Sequence, residues 1–220
     1  MAVKDYMTKD VITITPETRV AQAADIMRDQ DVRRLPVLDN GKLVGLVTAG
    51  TMADATPSKA TSLSIYEMNY LLNKTKIKDI MLKKVITIGP DASLEDAIYL
   101  MLEHKIGVLP VMHEEKLCGI ITDRDVFKAF LHVSGYGMQG TRIVLEADNE
   151  VGILAKVAES ISKANLNIGR IVADSRATGK TVVEIQIDGQ CNQESLSQAL
   201  ADTGVTIISV TPTEIKADLN

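Results

Sequence analysis

The chain contains no tryptophan, only two phenylalanines and five tyrosines, so aromatics make up 3% of its 220 residues. Its cores must be filled by Val, Ile, Leu, Ala and Met, and an apolar content of 45% is sufficient for that. Cysteine is almost as scarce. Cys118 falls in an apolar run and Cys191 in a polar one, without metal-ligand spacing. This excludes a disulfide framework and points to a reduced, cytoplasmic protein. Positive charge is in deficit: 24 Lys and Arg against 29 Asp and Glu give a net charge of −5. Such a balance argues against nucleic acid and against an anionic membrane surface as partners. No apolar run approaches the roughly 18 residues of a membrane span. The N-terminus turns polar at once, so no signal peptide is expected. His104, His113 and His132 are too scattered for a metal or catalytic set, and no metal is expected.

What the sequence does have is an internal duplication. Val3-Lys4-Asp5-Tyr6-Met7 returns as Ile77-Lys78-Asp79-Ile80-Met81, and Val11-Ile12-Thr13-Ile14-Thr15-Pro16 as Val85-Ile86-Thr87-Ile88-Gly89-Pro90. Leu35-Pro36-Val37 returns as Leu109-Pro110-Val111, and Lys42–Thr48 as Lys116–Thr122. The register holds without a gap over about fifty residues. Each copy predicts a turn, an extended run ending at Pro16 or Pro90, and a helix with Val20, Ala23, Ala24 and Met27 or Leu94, Ala97, Ile98 and Met101 on one face. Ser93 with Asp96 resembles a capping box. A hairpin follows, with a strong turn at Asp39-Asn40-Gly41 and a poorer one at His113-Glu114-Glu115. A second helix begins near Ala49 and near Asp123. Two small copies should pack about a pseudo-twofold axis, with ligand clefts between them.

Thr56-Pro57-Ser58 reads as a loop and Ser62–Asn73 as a helical linker. The glycine-rich stretch Ser134–Gly140 reads as a boundary. Beyond it the order is β-α-β-β-α-β: Thr141–Glu146, a helix over Val151–Ala164, Ile168–Asp174, Thr181–Ile187, a helix over Gln193–Ala201, and Val205–Val210. The expected fold is therefore α+β: two β-α-β-β-α units as a pseudo-twofold pair, then a ferredoxin-like domain. The expected boundaries are 1–60, 61–76, 77–133, 134–140 and 141–215. Gly135–Gly140 fits G-x-G-x-x-G but follows a helix and opens a strand, so it reads as a linker rather than a dinucleotide fingerprint.

The duplicated unit resembles the CBS domain, and the tandem a CBS pair (Bateman module), over about residues 1–132. The likeness rests on the Thr-containing strand before proline, the Leu-Pro-Val element and the Gly-hydrophobic-hydrophobic-Thr that opens the closing helix. It implies an adenosine-bearing ligand such as AMP, ADP or ATP. The nucleotide signature Gly-x-x-Thr/Ser-x-x-Asp of that family is matched by Gly119, Thr122 and Asp125, with Arg124 between them. Asp125 would accept hydrogen bonds from the ribose hydroxyls and Thr122 would sit near ribose or phosphate. The first copy has Thr48 but places Thr51 where the acid belongs. For both threonines the plain alternative is helix capping. Arg33, three residues before Pro36, is a candidate phosphate ligand, and a solvated helix end is the plain alternative. Thr87, Ile88, Ile106, Val108 and Pro110 would form the adenine slot, or simply core.

Residues 142–215 resemble an ACT domain through Ala147–Leu154 and Asn165-Leu166-Asn167-Ile168, with Val151 replacing the usual proline. That likeness implies an amino-acid site at a dimer interface, using Asn149, Gly152, Ile153, Leu154 and Asn167. The plain alternative is that Asn149 caps a helix and Asn167 makes a turn. The linker phrase 61–72 together with this domain resembles regulatory proteins of the acetoin-utilisation (AcuB) type. These resemblances imply a non-catalytic regulatory sensor, a homodimer acting on an unknown regulated protein. The rival is a protein-protein or dimerisation module with vestigial ligand sites.

Overall fold

The computed structural model describes residues 1–55, 65–175 and 177–216. The loop expected at Thr56-Pro57-Ser58 and the start of the linker helix lie outside the described residues. The chain divides into two compact units, Met1–Phe127 and Lys128–Asn220.

In the first unit, each copy contributes a helix, a hairpin and a closing helix. The first has α1 (Val20–Asp29), β1 (Arg34–Asp39), β2 (Lys42–Thr48) and α2 (Ala49–Ala55), followed by linker helix α3 (Ile65–Lys74). The second has the short helix α4 (Ile77–Ile80), α5 (Leu94–His104), β3 (Val108–His113) and β4 (Lys116–Thr122), and its closing helix α6 (Asp123–Val133) starts in this unit and runs on into the next. Equivalent residues lie 74 apart along the chain, as Thr48 and Thr122 do. The stretch before each proline is not a strand. It makes a single parallel bridge, Ile14 to Val37 and Ile88 to Val111. Only one N–H and one C=O of each stretch reach the hairpin: Ile14 donates to Pro36 and accepts from Leu38, and Ile88 does the same with Pro110 and Met112.

The β1–β2 turn places Asn40 and Gly41 at φ of 49° and 80°, the left-handed pair that a two-residue hairpin requires. The weaker sequence at Glu114-Glu115 closes a loop of the same length with Glu114 alone in the left-handed region, at φ 54°. Ser93 and Asp96 form the expected reciprocal cap on α5, Asp96 N–H to Ser93 Oγ at 3.0 Å and Ser93 N–H to Asp96 Oδ2 at 3.1 Å.

The two copies are laced together by their leading segments. Val3 and Lys4 donate to the carbonyls of Ala92 and Pro90 in the second copy, and Ile77 and Lys78 donate to those of Thr18 and Pro16 in the first. Thr8 pairs with Ile120 of β4, and Leu82 with Leu46 of β2. Met7 lies against Gly119 and Met81 against Gly45, where a Cβ would collide with the thioether. Glu17 bridges Lys76 and Lys78, and its counterpart Asp91 pairs with Lys4 at 2.7 Å. The core of the first copy gathers Ile14, Val20, Ala23, Leu35, Val37, Val47 and Met52, and it includes Ile77 from the second. Full burial of the Val, Leu, Ile and Met side chains among them contributes about 1.5–3 kcal/mol each.

The second unit comprises β5 (Gly140–Asp148), α7 (Ile153–Lys163), β6 (Ile168–Ser175), β7 (Lys180–Asp188), α8 (Gln193–Leu200) and β8 (Thr206–Thr213). Its sheet has the order β6-β7-β5-β8 and is antiparallel throughout, a ferredoxin-like arrangement. Ile143, Leu145, Val183, Ile185 and Ile187 on one face bury Val157 and Ile161 of α7 and Leu196 and Leu200 of α8. Helix α7 starts at Ile153 rather than Val151. Gly152 adopts φ +90° and serves as its N-cap, and Val151 stands fully exposed.

Candidate functional site

The twofold relation inside the first unit produces two pseudo-equivalent clefts, each built from the closing-helix start of one copy and the strand approaches of the other. The larger, about 720 Å³, contains Thr122, Asp123, Arg124 and Asp125 from the second copy. Its opposite wall is Val11, Ile12, Val32, Arg33 and Arg34 from the first. The smaller, about 450 Å³, contains Thr48, Ala49 and Gly50 opposite Val85, Ile86, Ile106, Gly107 and Val108, and Arg33 and Arg34 line it too. Both volumes are in the range of small-molecule sites.

In the Asp125 cleft, Thr122 and Asp125 form a closed box at the start of α6. Oδ2 of Asp125 accepts from the Thr122 N–H at 2.8 Å and from its hydroxyl at 2.7 Å, and the Asp125 N–H donates to Thr122 Oγ1 at 3.3 Å. Capping and ligand binding are therefore not exclusive: one carboxylate oxygen holds the helix start, and Oδ1 has no protein donor among the described residues. The first copy makes the same box without a carboxylate. Thr48 N–H donates to Thr51 Oγ1 at 2.8 Å, and Thr51 N–H to Thr48 Oγ1 at 3.1 Å. Thr51 reproduces the structural half of the aspartate's role and leaves no spare anionic oxygen.

The geometry corrects the expected adenine slot. Thr122, Arg124, Asp125 and Arg33 come together in one cleft. Ile106 and Val108 line the other, with Thr48. Thr87, Ile88 and Pro110 line neither: Thr87 is exposed at the surface, while Ile88 and Pro110 are buried and joined by the Ile88 N–H to Pro110 carbonyl bond. The apolar wall facing Asp125 comes instead from Val11, Ile12 and Val32. The signal for these residues was the duplication itself, because in a pair related by a twofold each cleft takes one wall from each copy.

Between the clefts, Arg34 Nη2 lies 3.5 Å from Asp123 Oδ1. The pair stands against Gly107, where a Cβ would lie 2.7 Å from Asp123 Oδ2 and 3.0 Å from Arg34 Nη2. Arg33 is exposed and has no ion-pair partner among the described residues.

In the second unit, Asn149 precedes α7 and Asn167 follows it, so the length of an 11-residue helix, about 16 Å, separates them. Asn149 does not cap α7, since Gly152 is the N-cap and no side chain caps it there. The Asn167 amide donates to Asp188. Gly152 and Leu154 are exposed and Ile153 is half-buried. One copy of the chain does not bring Asn149 and Asn167 into a common pocket. Among the described residues no cluster of three or more His, Cys, Asp or Glu is placed to hold a metal. No helix there is long and apolar enough to cross a membrane.

Comparison with known proteins bears on the first unit. A sequence profile of the CBS domain matches residues 3–57 and 77–132. The inosine-5′-monophosphate dehydrogenase of Korarchaeum cryptofilum is 37% identical over 125 residues, 56% of this chain and 23% of that enzyme. The CBS domain-containing protein YhcV of Bacillus subtilis is 30% identical over 125 residues, 57% of this chain and 82% of YhcV. The chain thus spans less than a quarter of the dehydrogenase and most of YhcV. Among solved structures, a protein named for acetoin utilization (AcuB) from Vibrio cholerae is 30% identical with a TM-score of 0.51, covering 60% of this chain and 91% of that one. The CBS domain pair of MJ0100, in complex with 5′-methylthioadenosine and S-adenosyl-L-methionine, is 29% identical with a TM-score of 0.50, covering 59% and 95%. CBSX2 in complex with AMP is 27% identical with a TM-score of 0.51, covering 60% and 97%. With two matched repeats joined about a pseudo-dyad, this chain belongs to the CBS domain family and carries a tandem CBS pair.

Proposed function

We propose that this chain is a non-catalytic regulatory sensor whose CBS pair binds an adenosine-bearing ligand, AMP, ADP, ATP or a relative, in the Asp125 cleft. The observation that carries this is Oδ1 of Asp125, without a protein donor among the described residues and held in place by the Thr122 box within a cleft of about 720 Å³ that also contains Arg33. A carboxylate oxygen so placed accepts from ribose hydroxyls, Val11, Ile12 and Val32 offer an apolar wall to the base, and Arg33 offers a cation. The ligands named for MJ0100 and CBSX2, all adenosine derivatives, support the same chemistry.

Binding acts by linkage. A ligand that prefers one arrangement of the two copies shifts the population toward it, with coupling of about 1–3 kcal/mol. The second unit is read as an ACT domain from its sequence motif and its β-α-β-β-α-β topology. Its candidate amino-acid contacts, Asn149 and Asn167, lie at opposite ends of α7, so a shared site needs a second copy of the chain. The homodimer follows from that requirement, and a cytoplasmic protein target completes the proposal.

The second reading, an interaction module with vestigial sites, is favoured by one observation: Thr51 closes the first copy's box without an acid. Thermal unfolding with AMP, ATP and 5′-methylthioadenosine decides between them. A ligand at a hundredfold excess over its Kd adds about 2.7 kcal/mol of stability. A shift with at least one of these supports the sensor, and no shift with any leaves the interaction module.

A further inference from the structure

The two clefts share a backbone plan but carry opposite charge. At the two positions flanking each opening, Lys84 and Lys105 in the Thr48 cleft correspond to Asp10 and Asp31 in the Asp125 cleft. The correspondence extends to the main chain: Lys105 and Asp31 both adopt the left-handed conformation just past a helix, at φ 52° and 49°. Among the described residues, the Thr48 cleft is lined by Arg33, Arg34, Lys84 and Lys105 with no carboxylate. The Asp125 cleft answers the same two arginines and Arg124 with Asp10, Asp31, Asp123 and Asp125. Arg34 is already paired with Asp123, whereas Arg33, Lys84 and Lys105 have no ion-pair partner among the described residues. Three uncommitted cations around a concave opening of about 450 Å³ form a positive focus that low-dielectric walls intensify.

We infer that the Thr48 cleft is a separate site for a diphosphate or triphosphate group, and that the charge reversal at these paired positions sorts ligands between the clefts. Polyphosphate is directed to the Thr48 cleft, and among adenosine ligands the Asp125 cleft prefers those whose 5′ substituent carries less negative charge. This rests on the adenosine reading only for the ligand of the second cleft; the phosphate site stands on its own charges.

The test uses inorganic pyrophosphate and 5′-methylthioadenosine in separate calorimetric titrations of the full chain at low salt, where surface charge is least screened. Wild type is expected to bind one pyrophosphate per chain. Lys84→Asp/Lys105→Asp is expected to weaken it by about tenfold or more while 5′-methylthioadenosine binds as before. Asp10→Lys/Asp31→Lys, which gives the second cleft the lysines of the first at these two positions and turns its net charge positive, is expected to add a second, weaker pyrophosphate site. All four positions are exposed, and each receives a charge its twin already carries, so an unchanged melting temperature without ligand establishes that the variants fold. Absence of pyrophosphate binding to wild type, or undiminished binding in the lysine variant, overturns the inference. Failure of 5′-methylthioadenosine alone strikes the adenosine reading and leaves the phosphate site standing. A titration with ADP then separates the sources. An affinity at least tenfold above that for pyrophosphate, lost in the lysine variant, identifies a nucleotide, and equal affinities identify the free anion.

Discussion

Replacing Asp125 by threonine separates the two tasks that this side chain performs, and the first copy of the repeat supplies the control. Thr51 shows that threonine closes the box with the helix-opening threonine, so Asp125→Thr keeps a capped α6. The variant loses the favourable placement of an acid in the first helical turn, about 0.3–1 kcal/mol, which for a chain of this size lowers Tm by no more than about 4 °C. The effect on ligand is larger. With Oδ2 committed to Thr122, the sugar loses at least one hydrogen bond to a charged acceptor, about 1.5–3 kcal/mol. Affinity should fall between about tenfold and about 150-fold. Calorimetric titration with AMP or 5′-methylthioadenosine, alongside urea unfolding of the unliganded variant, measures both quantities. Binding within twofold of wild type in a folded variant would show that the carboxylate is a cap and nothing more.

The exposed Glu17 carboxyl is held at a pKa of about 2, against an ordinary 4.5, by hydrogen bonds from Lys76 and then Lys78. A depressed carboxyl stabilises the fold above its unfolded pKa and loses that contribution as pH falls from about 4.5 toward 2. Urea midpoints of Glu17→Gln and wild type should therefore differ near neutrality and converge across that window, and salt should narrow the gap near neutrality; a difference that stays constant down to pH 2 contradicts the assignment. Gly119→Ala drives a methyl group into Met7 and should cost about 1–3 kcal/mol in thermal unfolding. Met7→Ala in the same background should recover part of the loss, and strict additivity of the two changes would refute the contact.

Much of the architecture could be read from residue pattern because the same pattern occurs twice. The Ser93–Asp96 cap and the Asn40-Gly41 turn carry a local signal and appear where it places them, and of the predicted stripes Val20, Ala23, Met27, Leu94, Ala97 and Met101 are buried while Ala24 and Ile98 are exposed. The runs before Pro16 and Pro90 misled because β-branched residues favour extended backbone whether or not a partner strand is present, and here only one residue of each finds one. The box of Thr122 and Asp125 was legible, being local in sequence. The wall opposite it was not, because Val11, Ile12 and Val32 reach Asp125 only through the pairing of the two copies, across 93 to 114 residues of chain that no window detects. The paired charges at Lys84 and Asp10, and at Lys105 and Asp31, were visible as letters but acquired meaning only once they stood at equivalent mouths.

The exchange of leading segments carries a mechanical consequence. Residues 1–8 are anchored on the second copy and residues 75–82 on the first, so neither half can hinge away while its own tether stays seated. A ligand that wedges into one opening strains both stitches together, and loosening one removes the geometry that keeps the other closed. The pair should therefore respond as a latch that is either fastened or sprung, with occupancy of one mouth felt at its twin.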